Sequence, residues 1–490
     1  MNDHKLEKRY GLVTAICMVV GIVIGSGVFY KAQDVLRYTD GNVLLGIAAW
    51  GIGALVMIIC ALNFANLGTR YEKVNGLVDY TEATMGSRYA YLTGWFATIL
   101  YYPAMTSVLA WVSARYTLEL FGLSGPLHMT GGLCLALACL YLCLSFTMNA
   151  LAPKLAGKFQ VGTTFVKLIP LVLMAVVGIV VGMSNGNTVK AFSGVGLGSE
   201  AAGSTGSMLF AAAVATAFAY EGWIIATTIN SELKNAKRNL PIALIVGCII
   251  IAIVYITYYI GLSGATSAST LIEEGSGAAF RSAFGSVGGT LLSVFVVVSC
   301  LGTLNGLMLA SQRGMYSLSV RNEGPKPKVF GEVSDSVNMP VNSAIFALLI
   351  NALMLFYFFG ANLVPSYRIE TVNGLQQIVA EPGGGAFFGL FSFDSSELPI
   401  ITIYAMYIPV FVKMIMMHHK EGIIKNVVLP VLGVAAAVFM VFAAIYAHGI
   451  TPYQKAAANG EFSCPVLFYL IIYAAVMIIG NHFYRKEKET

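Results

Sequence analysis

The feature that most constrains this chain is a succession of apolar runs of about 20 residues or more, each bounded by charged or turn-forming residues. A helix rises 1.5 Å per residue, so a run of about 20 crosses roughly 30 Å of hydrocarbon with its backbone polar groups satisfied inside the segment. Such runs fall near 10–30, 43–67, 90–121, 127–148, 158–183 and 206–231, then near 240–263, 286–318, 341–360, 397–417, 426–448 and 464–483. With 57% hydrophobic and 11% charged residues and a mean hydropathy of +0.75, the chain carries more apolar side chain than a soluble core can absorb, since soluble domains are about a quarter charged. The expectation is an all-α integral membrane protein with 12 transmembrane helices.

The charges that remain report topology. Most of the 29 Lys and Arg residues fall between runs on the side of the N-terminus, while Lys31, Arg37, Arg115, Lys190, Arg281, Arg368 and Lys455 fall on the other. Cytoplasmic loops collect basic residues, so both termini are expected in the cytoplasm. No small-residue cleavage pattern follows the first run, so it is expected to remain as a span. A net charge of +5 scattered in short clusters forms no patch for nucleic acid.

Several chemistries find no footing. Seven of the eight cysteines lie within apolar runs, only Cys464 near a boundary, and no C-x-x-C pair occurs, so free thiols packing as small hydrophobes are expected, with no metal and no cofactor. His4, His128, His418, His419, His448 and His482 sit at or near span ends, which leaves an intramembrane hydrolase without its base. A channel would want a repeated filter or a charged ring, and neither is found. Connections are short except for the segment 361–396, with Gly383, Gly384 and Gly385 and the acids Glu370, Glu381, Asp394 and Glu397 at its end, which reads as a lid or mobile insert.

Two spans look broken. The first contains Gly21-Ile22-Val23-Ile24-Gly25-Ser26-Gly27-Val28-Phe29, where glycines around a serine weaken the helical ladder. Such backbone is tolerated at membrane depth only where it is buried in protein or lines a wet cavity. Close helix packing through Gly21 and Gly25 explains the spacing equally well. The sixth span tips the balance with Phe218-Ala219-Tyr220-Glu221-Gly222-Trp223, which places a carboxylate and a glycine at similar depth. Interruptions in corresponding helices of two halves point to a transporter site. If spans one to five and six to ten are copies of one unit, the odd number inverts the second. Lys167 is the other ionisable residue deep in a core span, roughly 13 Å into the fifth at 1.5 Å per residue.

These motifs resemble the amino acid, polyamine and organocation transporter superfamily, and within it the branch of L-amino acid transporters. Gly25-Ser26-Gly27-Val28-Phe29 is similar to the family's G-S-G-I-F break, and Phe218 to Trp223 to its F-A-Y-x-G-W break. The stretch Ser231-Glu232-Leu233-Lys234-Asn235-Ala236-Lys237-Arg238-Asn239-Leu240-Pro241 resembles the signature that follows, with Ala236 in place of the usual proline. The resemblance implies a 5+5 inverted-repeat (LeuT-like) core with broken helices 1 and 6, plus two peripheral helices. It divides the chain into a cytoplasmic N-terminus 1–9, a first repeat 10–185, an inverted repeat 205–418 with the long extracellular loop 361–396, and helices 11 and 12 with the C-terminus over 426–490.

It also implies roles. Backbone and side chains at Gly25, Ser26, Gly27, Phe218, Ala219 and Glu221 would bind the substrate's carboxylate and ammonium, and Phe218 would gate it. Lys167 matches a lysine of sodium-independent members, standing where relatives bind a sodium ion, with Ser299 and Thr303 as neighbours supplying oxygens. The implied function is alternating-access transport in the cell membrane, by sodium-independent exchange or proton symport of neutral L-amino acids, with the proton as candidate coupling ion. Exchange of cationic amino acids, amines or polyamines stays open, since Glu221 would suit a second ammonium. Eukaryotic members of the branch join a heavy chain through a cysteine after the third span; Phe121 to Pro126 has none, so no disulfide-linked heavy chain is expected.

Overall fold

The computed structural model describes residues 11–71, 76–123, 130–198, 204–225, 227, 233–334, 339–364, 366–372, 375–381, 387–417 and 422–484. The terminal tails, residues 124–126 of the loop after the third span, Ser231 and Glu232, the three glycines at 383–385 and His418-His419 lie outside them. Among the described residues, eleven helices are long and apolar enough to cross a membrane, and a bent pair, α1 (Leu12–Val23) and α2 (Gly27–Tyr38), makes a twelfth. The others are Val43–Arg70, Ser87–Leu120, Gly132–Leu151, Gly162–Ser184, Thr205–Ile225, Ala236–Ala265, Ser276–Ser319, Val341–Leu363, Leu398–Met416, Ile424–Ala458 and Pro465–Phe483.

Three departures from the sequence reading have physical causes. The first span runs to Tyr38, past the apolar run, because Lys31 and Asp34 are paired within the helix at 3.5 Å. The eighth begins at Ser276 and bends at Gly285, whose φ of 72° favours glycine. The segment 361–396 carries an antiparallel hairpin of β1 (Ser366–Val372) and β2 (Leu375–Glu381), with Ser366 opposite Glu381, in an otherwise helical chain. π-helical turns at Ala97–Tyr101, Ile424–Val428 and Tyr446–Ile450 each stand just before a proline: Pro103, Pro430 and Pro452. Proline donates no N–H and crowds the carbonyl four residues back, which the wider turn accommodates.

The chain divides into two compact units. The first comprises 1–94, 158–303 and 400–443; the second comprises 95–157, 304–399 and 444–490. Aromatic rings fill the first unit: Trp50 meets Tyr220 and Tyr255 edge to face at 5.5 and 5.7 Å, and Phe64, Tyr407 and Trp223 pack against one another. Glycine permits the closeness, for a β-carbon at Gly46 would strike Tyr259 and one at Gly178 would strike the backbone of Gly261. The second unit is tied by buried amides instead. Asn149 donates to the carbonyl and side chain of Asn305 at 3.0 and 2.8 Å, and Asn351 bonds Ser311 and accepts from Thr106. Buried polar side chains in a membrane need such partners, and Asn149 and Asn351 find them.

Outward faces are apolar, as lipid requires: Leu55, Leu133, Val176, Leu353 and Ile478 are all exposed. The cysteines are free, but not all are interior. Cys60, Cys134, Cys248 and Cys300 are buried, while Cys17, Cys139 and Cys143 lie on exposed helix faces. An apolar run does not say which of its faces meets lipid.

Candidate functional site

The first break is short and sharp. α1 ends at Val23, Ile24 turns extended at φ −70° and ψ 102°, and α2 restarts at Gly27 with its axis bent by 49°. The bend strands carbonyls at the end of α1 that have no helical donor. Three side chains from three other spans answer them. Lys167 Nζ donates to Gly21 O at 3.1 Å, Tyr255 Oη donates to Val23 O at 3.2 Å, and Ser299 Oγ donates to Gly25 O at 3.4 Å. Lys167 is fully buried and also donates to Thr303 Oγ1 at 2.8 Å, so one ammonium joins spans one, five and eight. The fit is tight, since β-carbons at Gly21 and Gly302 would collide with Thr164 and Thr163, and one at Gly25 would lie 3.0 Å from Thr303 Oγ1.

The donor side of the break is arranged differently. Among the described residues, no hydrogen bond reaches the N–H groups of Ser26, Gly27 or Val28, although Ser26 O accepts from Phe29 and Tyr30. Ser26 Oγ is buried, with 1% of the residue exposed, and has no hydrogen-bond partner. Unfilled donors and a hydroxyl at the positive end of a 12-residue helix form a cradle for an anion such as a carboxylate.

The sixth span breaks where its sequence reads Glu221-Gly222. The helix ends at Tyr220, Glu221 is extended at φ −79° and ψ 160°, and Gly222 adopts φ 104°, which a side chain would resist. A short turn follows, with Ile225 N donating to Gly222 O at 3.0 Å. The carbonyls of Phe218 and Ala219 accept no backbone hydrogen bond among the described residues. They supply the complementary feature, negative partial charge at a helix C-terminus.

The two breaks touch. A β-carbon at Gly27 would run into Cα of Ala219, and one at Gly222 would lie 3.2 Å from Ile22 Cγ2 and 3.4 Å from Ile22 O. Donors of one break and carbonyls of the other therefore share a small volume, which suits a zwitterion. Of the residues singled out from the sequence, Gly25, Ser26, Gly27, Phe218, Ala219, Lys167, Ser299 and Thr303 all cluster at this junction. Glu221 differs, for its buried carboxyl lies within electrostatic reach of Cys60 and Tyr404, on the second and tenth spans.

Three participants were missed in the sequence. Tyr255 was one of many aromatic residues in an apolar run, although a hydroxyl at mid-span was a signal. Thr164 sits beside Lys167 without charge to mark it. Lys31 falls among the loop cations by sequence, yet it is buried in α2 with Nζ 5.6 Å from the Phe218 ring centroid. No group of three or more His, Cys, Asp or Glu side chains able to hold a metal ion occurs among the described residues.

Comparison with known proteins identifies the family and the fold. The amino acid permease family matches residues 10–478. The serine/threonine exchanger SteT of Bacillus subtilis (strain 168) is 32% identical over 72% of this chain and 78% of its own. The b(0,+)-type amino acid transporter 1 of Mus musculus is 29% identical over 71% of this chain and 69% of its own. In fold, the crystal structure of MhsT in complex with L-phenylalanine covers 90% of this chain and 99% of that one, with a TM-score of 0.58 at 15% identity. The chain therefore belongs to the amino acid permease family of the amino acid, polyamine and organocation superfamily, a multi-pass LeuT-like membrane transporter and not an enzyme.

Proposed function

We propose that this transporter carries neutral L-amino acids by sodium-independent exchange, with the substrate bound where the two broken helices meet. The substrate carboxylate is received by the N–H groups of Ser26, Gly27 and Val28 and the Ser26 hydroxyl, and its ammonium by the carbonyls of Phe218 and Ala219. Phe218, buried beside these groups, acts as the gate. Glu221 borders the site through its backbone.

The observation that carries the sodium-independent reading is the Lys167 ammonium, bonded to Gly21 O and Thr303 Oγ1. A fixed cation there bridges the first, fifth and eighth spans as an inorganic ion would. Ser299 completes the arrangement by holding Gly25 O. Exchange is favoured over proton symport because SteT, which shares 32% identity, is a serine/threonine exchanger. We place the protein in the cell membrane with both termini cytoplasmic, from the distribution of Lys and Arg. It works without a disulfide-linked heavy chain, since the sequence between the third and fourth spans has no cysteine.

Purified protein in proteoliposomes tests the mode. Uptake of labelled serine into vesicles preloaded with unlabelled serine should exceed uptake into empty vesicles by about 10-fold or more, whether or not a pH gradient is imposed. Equal uptake into empty vesicles, driven by an inward proton gradient, would replace exchange with symport.

A further inference from the structure

Span 11 is one of the two helices that the resemblance makes peripheral, yet its first half is bonded into the unit that carries both breaks. It opens on the π-helical turn Ile424–Val428, where Leu429 N donates to Ile424 O. The next carbonyl in that series, Lys425 O, would look five residues on to Pro430, which has no N–H. That carbonyl faces span 2, where an unmet acceptor costs free energy. The buried Asn66 supplies the donor, its Nδ2 lying 2.9 Å from Lys425 O. Asn63, one turn back, donates from Nδ2 to Leu429 O and to Ile59 O of its own helix, both at 2.9 Å. Arg70 Nη2 adds a bond to Asn426 Oδ1 at 2.9 Å. Residues 63, 66 and 70 are spaced three and four apart, so one face of span 2 makes all three bonds. Gly433 admits the approach, for a β-carbon there would lie 2.7 Å from Asn63 Nδ2. Both amides are fixed in this sense, since turning either over would set its oxygen against a carbonyl.

The same stretch of span 2 reaches the second break. Phe64, next to Asn63, packs its ring against Trp223 at 5.7 Å and against Tyr407 and Phe411 of span 10 at 4.8 and 5.5 Å. Trp223 is fully buried and follows Gly222, on which the break turns. Span 11 backs this wall, because a β-carbon at Gly433 would also meet the Phe411 ring at 2.8 Å. The carbonyls of Phe218 and Ala219 therefore lead into a short turn whose far end is set by Trp223, and Trp223 is seated by rings that span 11 supports.

We propose that Asn63 and Asn66 are positioning residues for transport: they latch the first half of span 11 to span 2 and so fix the aromatic wall that holds Trp223 and, through it, the carbonyls of the second break. This rests on the substrate site proposed above and adds to it a helix outside the ten core spans. Loosening the latch lets the wall and Trp223 shift, which misplaces the carbonyls and leaves the donor cradle at Ser26 intact. Affinity then falls before maximal rate does.

Serine uptake by the full-length protein in proteoliposomes tests the latch through KM, which a mere loss of folded protein leaves unchanged. Asn66→Leu keeps the bulk and removes the donor; it should raise KM about 3- to 10-fold, with the maximal rate per folded protein within about twofold of wild type. Pro430→Ala returns an N–H five residues beyond Lys425, so adding it to Asn66→Leu should bring KM back to within about twofold of wild type. Phe64→Leu leaves both amide bonds and cuts the contact with Trp223. It should raise KM by a similar factor, and combined with Asn66→Leu the rise should be less than the product of the two. A wild-type KM in Asn66→Leu, a raised KM that Pro430→Ala does not lower, or factors that multiply in the combined variant would each overturn the proposal. Ser26→Ala separates the latch from the site itself. A raised KM there beside an unchanged one in Asn66→Leu overturns the latch alone, whereas an unchanged KM in both overturns the substrate site and the latch with it.

Discussion

The two broken helices look alike in sequence and differ in how their loose ends are treated. At the first, side chains from the fifth, seventh and eighth spans reach in to satisfy the carbonyls of Gly21, Val23 and Gly25. At the sixth, no backbone donor among the described residues reaches the carbonyls of Phe218 and Ala219, and the break depends on the backbone freedom of Gly222. One break is braced and the other is left open. A substrate site needs both, since a braced frame fixes where the donors point and open carbonyls give the ligand something to complete. Preorganisation of this kind raises affinity by cutting the cost of ordering on binding.

The comparison can be broken most severely where the two breaks touch. Gly27→Val drives a side chain into the backbone of Ala219, and neither backbone can move aside without dismantling its break. Serine uptake should fall by at least about 100-fold, with a lowered thermal midpoint of the purified protein. Lys167→Met comes next, for it removes the brace that joins three spans and leaves Gly21 O and Thr303 Oγ1 without their donor. An abandoned buried group costs about 1–3 kcal/mol, so uptake should drop by about 10- to 100-fold; a variant transporting at the wild-type rate would show that the brace is dispensable. Ser26→Ala sharpens the picture of the donor cradle, because it deletes the hydroxyl and keeps the N–H groups. The KM for serine should rise about 3- to 10-fold with little change in maximal rate.

Tyr255→Phe is the mildest. Its bond to Val23 O is 3.2 Å long, worth about 0.5–1.5 kcal/mol, and the ring keeps its packing against Trp50 and Tyr220. The thermal midpoint should fall by a few degrees while uptake changes by less than about threefold. A larger loss of transport in Tyr255→Phe than in Lys167→Met would reverse the ranking of the braces.

Much of this was legible in the chain itself. Span number follows from apolar run length, which the bilayer imposes, and both breaks announce themselves by glycine beside a polar residue. Lys167 stands out because a lysine so deep has few innocent explanations. The rest depends on which faces meet. Tyr255 is one of three tyrosines in the run Tyr255-Ile256-Thr257-Tyr258-Tyr259, and only packing selects the one whose hydroxyl reaches Val23. Lys31 reads as a loop cation because hydropathy counts its charge and cannot see Asp34 one turn away. The contact of Gly27 with Ala219 links residues far apart in the chain, and a glycine in sequence does not say what presses against it.

The central claim is that a lysine stands where a coupling ion would, so that the braced break receives an amino acid without sodium. Equilibrium binding of serine to the purified wild-type protein, in choline chloride and then in sodium chloride at equal ionic strength, tests it most directly. The account predicts the same dissociation constant in both salts. Binding that appears only with sodium, or tightens about 10-fold with it, would contradict the role given to Lys167 and the mechanism built on it.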